Sequence, residues 1–178
     1  NRGGVPLIEI VSEPDFRSAD EVMAYLEKLK AILQYLGVSD CKMQEGSMRA
    51  DINLSVRPIG REAMGTRTEM KNMASHKAIA RAIAGESRRQ IERLEAGETI
   101  TQETRRWDDN KDRSFAMRTK EDAHDYKYFP DPDLMPVLVE TSDIERIRAS
   151  LPEMPEAKRR RYTDDLGLPA YDADILTG

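Results

Sequence analysis

The sequence predicts an α+β fold in which a sheet is backed by helices, and three observations carry that expectation. Residues 49–57 alternate with period two, apolar Ala50, Ile52, Leu54 and Val56 against polar Arg49, Asp51, Asn53, Ser55 and Arg57. Such alternation marks a strand with one face on a core. A second stretch, residues 66–72, puts Arg67, Glu69 and Lys71 on one side in the same manner. Two further segments repeat apolar residues at spacings of three and four, the period of a helix with one buried face.

Taken in order, residues 5–11 (VPLIEIV) read as a short buried strand with Glu9 in its midst. A carboxylate there needs a partner or a metal, because a bare charge does not survive burial. Ser18 with Glu21 forms a capping-box signature, and Val22, Leu26, Leu29, Ile32, Leu33 and Leu36 make one stripe that Gly37 ends. The central strand region follows, first around residues 41–45 and then to Arg57. Residues 58–65 connect it to the strand of residues 66–72. Ser75 caps a second helix running to about Glu95, with Ile79, Ile83, Ile91 and Leu94 inward and Arg81, Arg88, Arg89 and Arg93 outward, Glu86 among their pairing acids. Residues 101–108 and 113–119 read as a hairpin in which Glu103, Arg105 and Trp107 share a face. Residues 124–133 (HDYKYFPDPD) form a loop rich in aromatics and acids, and residues 136–140 a last short strand. Beyond residue 150 the texture turns helical, with helices expected over residues 142–149, 156–166 and 171–176. The expected division is a sheet domain over residues 1–150 and a linker with the start of a helical domain over residues 151–178.

Composition narrows the chemistry. The 178 residues carry a net charge of −5, so any nucleic-acid contact has to use local basic clusters rather than the whole surface. No apolar run is long enough to span a membrane. One cysteine and two histidines cannot close a zinc site of the usual kind, whereas abundant carboxylates suit a hard ion such as magnesium. The lone Cys41 fits a reducing compartment. The chain starts at Asn1 and stops at Gly178 just past an apolar turn, which reads as a piece of a longer protein. The odd face of residues 49–57 is unusual for a wet strand. It lines up an arginine, a carboxylate, an amide and a hydroxyl, a set able to hold a cation and a phosphate together.

Six segments go beyond generic chemistry: residues 1–15 (NRGGVPLIEIVSEPD), 45–51 (EGSMRAD), 69–72 (EMKN), 102–105 (QETR), 124–130 (HDYKYFP) and 166–172 (LGLPAYD). In this order they resemble stretches of the B subunit of the tRNA-dependent amidotransferase of GatCAB type. The resemblance implies a glutamine-synthetase-like antiparallel sheet backed by helices, part of a cradle-shaped catalytic domain, followed by the start of a helical domain. It implies an ATP-dependent ligase that phosphorylates the side-chain carboxylate of Glu-tRNA(Gln) or Asp-tRNA(Asn). Ammonia from glutamine, hydrolysed by an amidase A subunit, then displaces the phosphate; a small C subunit completes a heterotrimer in the cytoplasm or an organellar matrix. Magnesium and ATP are the implied cofactors. By the same resemblance Asp51 and Glu69 are catalytic and metal-binding acids, Glu45 and Glu103 further ligands of that shell, and Glu9 a supporting residue on a neighbouring strand. Charge and alternation add Arg49, Lys71 and Arg105 for phosphate and Asn72 for orienting nucleotide or substrate. Ala50 stands where the family often has Cys, on the core side of its strand. The family's N-terminal half, with a Glu-Val-His strand and an acidic pair, lies outside this sequence, so the piece alone is expected to be inactive. Two rivals remain: a non-catalytic tRNA-binding or assembly module using the basic helix faces and Tyr126 and Tyr128, and a magnesium-dependent phosphotransferase acting on a small molecule.

Overall fold

A computed structural model of the chain describes residues 5–117, 132, 133 and 135–178. Its centre is a four-stranded sheet in the order β1-β2-β3-β4, formed by Ile52–Leu54, Thr68–Lys71, Glu103–Asp108 and Arg113–Ala116. Helices α1 (Ala19–Tyr35) and α2 (His76–Glu95) cover one face, so the coarse α+β expectation holds. The aromatic loop of residues 124–133 lies, except for residues 132 and 133, outside the described residues.

Both long helices begin where the sequence says they should. Ser18 Oγ accepts the Glu21 amide at 3.2 Å, and Ser75 Oγ accepts the Ala78 amide at 3.1 Å. Each bond satisfies one of the amides that a helix start leaves without an intrahelical partner. The carboxylate of Glu21 turns back to accept the Arg17 amide.

The sheet is mixed, and here the expectation of an antiparallel sheet is corrected. β1 and β2 are antiparallel, as are β3 and β4, but β2 and β3 run parallel with Glu69 opposite Thr104 and Lys71 opposite Arg106. The cause is the 20-residue helix between them. A connection of that length carries the chain back across the sheet before the next strand begins, which is the geometry of a βαβ unit.

Burial on α2 also departs from the expectation. Ile79 is fully buried, but Ile91 and Leu94 stay substantially exposed, and the covered face passes instead through Ala78, Ala82, Glu86 and Gln90. Trp107 on β3 fixes this rotation. It is 1% exposed, and a Cβ at Gly85 would sit 2.9 Å from its Cη2 and Cζ3 atoms. Only a glycine lets the helix backbone come down onto the indole. The remaining core is Leu26, Met70, Met73, Ala78, Ile79 and Ala82.

Three expected strands are absent from the described residues. Residues 5–11 and 136–140 run without ladder partners and leave Leu7, Val11, Val137 and Leu138 largely in solvent, while residues 43–46 form a turn. Hydrophobicity signals a need for burial, but a strand also needs a neighbour's N–H and C=O groups. Pro6 and Pro136 each remove one donor from these runs.

The tail folds as α3 (Thr141–Ser150), α4 (Pro155–Arg160), a single π-helical turn (Arg161–Asp165) and α5 (Ala170–Thr177). It meets α1 through the ion pair of Lys28 with Glu156 at 2.8 Å and the Tyr35 hydroxyl donating to the Thr177 carbonyl at 3.3 Å.

Between β1 and β2 the backbone itself is close-packed. A Cβ at Gly65 would fall inside contact distance of the Val56 carbonyl oxygen. Gly65→Ala therefore has to push two backbone segments apart and is expected to destabilise the chain by about 1–3 kcal/mol. Denaturant titration of the two proteins side by side measures it; equal midpoints would mean that the approach is not required.

Candidate active site

The face of the sheet that no helix of the described residues covers collects the unusual residues. Strand alternation sends Met70, Arg105, Trp107 and Ser114 toward α2, so their neighbours Glu69, Lys71, Thr104, Arg106 and Phe115 share the opposite face. Asn53 on β1 stands opposite Glu69, and Asp51 follows one step beyond the Ile52–Met70 pair, facing Lys71.

These residues interlock. Lys71 Nζ lies 3.2 Å from Asp51 Oδ2 and 3.2 Å from Glu69 Oε1. The other oxygen of Glu69, Oε2, accepts the Thr104 hydroxyl at 2.8 Å. Partial burial works against the charge on Glu69, but the Thr104 hydroxyl and the Lys71 ammonium outweigh it and hold the carboxyl below its ordinary pKa. Bonding to Asp51 and then to Glu69 raises the pKa of Lys71. Both shifts favour the charged forms of Glu69 and Lys71, and the Asp51 carboxyl flanks the same ammonium. Across the sheet the face turns cationic, with Arg106 opposite Phe115 and the Arg113 guanidinium 4.6 Å above the Phe115 ring.

The sequence-derived candidates fall into two groups. Asp51, Glu69 and Lys71 come together on this face, and Arg49 is exposed in the segment leading into β1. Glu103 and Arg105 do not join them. They pair with one another on the helix-covered side, where Arg105 is 8% exposed and its Nε donates to Ser114 Oγ at 2.7 Å. The Trp on their face is the available signal, because an indole two residues from Arg105 marks the core side of a strand. Asn72 is also turned away from the trio. Its backbone takes the left-handed conformation (φ 70°), which asparagine tolerates, and its Nδ2 donates to the Trp107 carbonyl at 3.1 Å. Glu45 pairs with Lys42 at 3.0 Å in a surface turn, and Glu9 sits in the exposed N-terminal run.

One residue of consequence is placed wrongly by the sequence pattern. Glu86, expected to pair on the outer face of its helix, is 0% exposed beneath the sheet. Its carboxylate accepts from Thr68 on β2 at 2.8 Å, Ser114 on β4 at 2.8 Å, Gln90 at 3.1 Å and Arg89 at 2.6 and 2.9 Å. Arg105 of β3 comes within 3.4 Å. Gln90 extends the network to β1, donating to the Leu54 carbonyl at 3.2 Å and accepting the Val56 amide at 3.2 Å. The hub therefore ties all four strands to α2 from below, while the acid trio sits above.

The sequence matches the GatB/GatE catalytic domain over residues 1–145. The chain belongs to this family. Among relatives of this GatB/GatE chain, the B subunit of the aspartyl/glutamyl-tRNA(Asn/Gln) amidotransferase of Lachnoclostridium phytofermentans is 67% identical over all 178 residues. The proteins of the same description from Caldicellulosiruptor bescii and Moorella thermoacetica are 63% and 58% identical, each over 99% of the chain. In every case the chain spans 37% of the length of the relative it matches. Among the described residues no helix is long and apolar enough to cross a membrane.

Proposed function

We propose that this chain forms part of the kinase and transamidase subunit that converts Glu-tRNA(Gln) or Asp-tRNA(Asn) to its amide, the trio of Asp51, Glu69 and Lys71 being this chain's share of the site. The observation that carries the reading is the meeting of two carboxylates at one cation on a partly exposed sheet face, in a chain whose relatives are named as B subunits of the aspartyl/glutamyl-tRNA(Asn/Gln) amidotransferase. The reaction needs a leaving group, because a carboxylate is a poor acyl donor. Its oxygen forms a bond to the terminal phosphorus of ATP as the bond to ADP breaks. Ammonia then forms the C–N bond, loses a proton, and phosphate departs.

The donor set fits magnesium in one particular manner. Among the described residues no group of three or more histidine, cysteine or acidic side chains gathers. Magnesium commonly uses one or two carboxylates and completes its shell with water and phosphate oxygens, which two acids can serve. Asp51 and Glu69 would hold the ion, and when bound it would neutralise charge on the transferring phosphoryl group. Lys71, Arg49 and Arg106 are assigned to the phosphates, as fixed or tethered positive charge beside the acids. Glu103, Arg105 and Asn72 are given supporting positions behind the sheet or at its edge. The wider reading includes the glutamine-synthetase-like cradle over residues 1–150, the beginning of a helical domain over residues 151–178, an amidase A and a small C subunit, and a cytoplasmic or organellar-matrix location. The 178-residue piece alone is expected to be inactive.

The tRNA-binding alternative is less well supported. Its basic helix faces are largely neutralised, Arg81 by Asp109 and Asp112, Arg93 by Glu98, Arg160 by Glu156 and Arg161 by Glu153. The deciding experiment substitutes Asp51→Asn and Glu69→Gln in the full-length enzyme and measures amidation and tRNA binding separately. The ligase reading expects lost amidation with retained binding. Lost binding with normal turnover would establish the binding module, and turnover without tRNA would favour a small-molecule phosphotransferase.

A further inference from the structure

We propose that Lys71 is a built-in cation that occupies, between Asp51 and Glu69, the position a divalent metal takes in the loaded site, and that metal entry releases its ammonium toward the phosphates. The inference rests on the reading of the trio as a metal- and nucleotide-binding site.

The geometry is that of a stand-in. One Nζ sits 3.2 Å from an oxygen of each acid, bridging two strands as a bound ion would. Without a cation there, Asp51 and Glu69 would repel across the β1–β2 pair, since like charges on neighbouring strands are unfavourable. Lys71 removes that repulsion and keeps the carboxylates pre-positioned. Its side chain is 40% exposed and is carried on a flexible four-carbon stem, so it is free to swing. Glu69 does not need to swing with it. Thr104 holds Oε2 at 2.8 Å, leaving Oε1, the oxygen that faces Lys71, to be exchanged between ammonium and metal. Charge arithmetic favours the exchange only when a dication arrives. Two carboxylates and one ammonium leave a net −1, whereas a dication in place of the ammonium gives neutrality and frees one positive charge for the incoming triphosphate. Lys71 would thereby discourage metal binding in the absence of nucleotide and reward it when phosphate oxygens are present to receive the displaced ammonium.

The test uses the full-length subunit in its assembled complex, with Mn²⁺ as the probe because it shares magnesium's preference for oxygen ligands. Free Mn²⁺ is followed by electron paramagnetic resonance without nucleotide, and binding abolished by Glu69→Gln defines this site's share. Lys71→Met is expected to bind Mn²⁺ at this site about tenfold more tightly than wild type, a modest factor because the trio is partly solvated and screened. Lys71→Arg keeps the charge and is expected to stay near wild type. Unchanged thermal midpoints show that the variants remain folded, and Lys71→Gln serves in place of Lys71→Met if that variant does not. Equal Mn²⁺ affinity in wild type and Lys71→Met, both sensitive to Glu69→Gln, would overturn the role of Lys71 and leave the metal site standing. Mn²⁺ binding indifferent to Glu69→Gln in either background would overturn the metal site and the role of Lys71 together.

Discussion

Glu86→Ala is expected to lower the stability of this fold by about 3–5 kcal/mol, the usual consequence of removing one partner from a buried charged network. The carboxylate is fully enclosed and receives hydrogen bonds from β2, β4 and α2, with Arg105 of β3 beside it. Truncation leaves the Thr68 and Ser114 hydroxyls and two guanidinium groups facing a hole instead of an acceptor. Unsatisfied donors in a low-dielectric interior are more damaging than the lost bonds are helpful. The expected readout is a fall in thermal midpoint of roughly 10 °C for a chain of this size, and a midpoint within a degree or two of wild type would show that the hub is dispensable. The same residue predicts a pH dependence. Burial opposes the charge on Glu86, yet Arg89, Gln90, Thr68 and Ser114 more than compensate and hold its pKa below the ordinary carboxylate value. A group depressed in the folded state contributes stability above its unfolded pKa, about 4.3, and loses it as pH falls through the lower folded value. Wild type should therefore weaken increasingly on acidification below that pH. Glu86→Gln should be less stable at neutral pH but show a shallower acid limb.

Glu69→Gln in the full-length enzyme should behave in the opposite way, reducing amidation turnover by on the order of 10²–10³ while leaving stability within about 1 kcal/mol. The loss of activity follows from removing a pre-positioned charged group where charge develops in the transition state. The small stability effect follows from exposure. Glu69 and Lys71 lie on a solvated face, where an ion pair contributes little because water already serves both charges. Amidation assays and thermal melts on the same preparation check the pair of expectations together. A variant that melts early and turns over normally once folded would assign Glu69 to the scaffold.

The contrast between these two acids shows which parts of the molecule are legible in its sequence. Both long helices can be read from Ser18, Ser75 and their apolar periods, because capping and amphipathic burial are local properties of a few adjacent residues. The outward set of β1 and β2 can be read from alternation, and so Asp51, Glu69 and Lys71 group together before their contacts are known. Arg105 and Glu103 are legible as sharing a face with Trp107, but not that this face is the covered one, since alternation defines two sides without saying which is buried. Glu86 is the opposite error. A glutamate among arginines on a helix looks like surface pairing, and only strands arriving from elsewhere in the chain turn it into a buried acceptor.

By itself the sequence determined the family, the helices and their starts, the hairpin, and the odd-numbered polar set that includes Asp51 and Glu69. The tertiary structure decided that β2 and β3 run parallel, that Thr104 rather than Arg105 meets Glu69, and that Glu86 lies under the sheet. The reason is the reach of the interactions involved. Caps, periods and turns are set by neighbours within a few residues, whereas register and the choice of covered face depend on partners tens of residues apart, which no local pattern encodes.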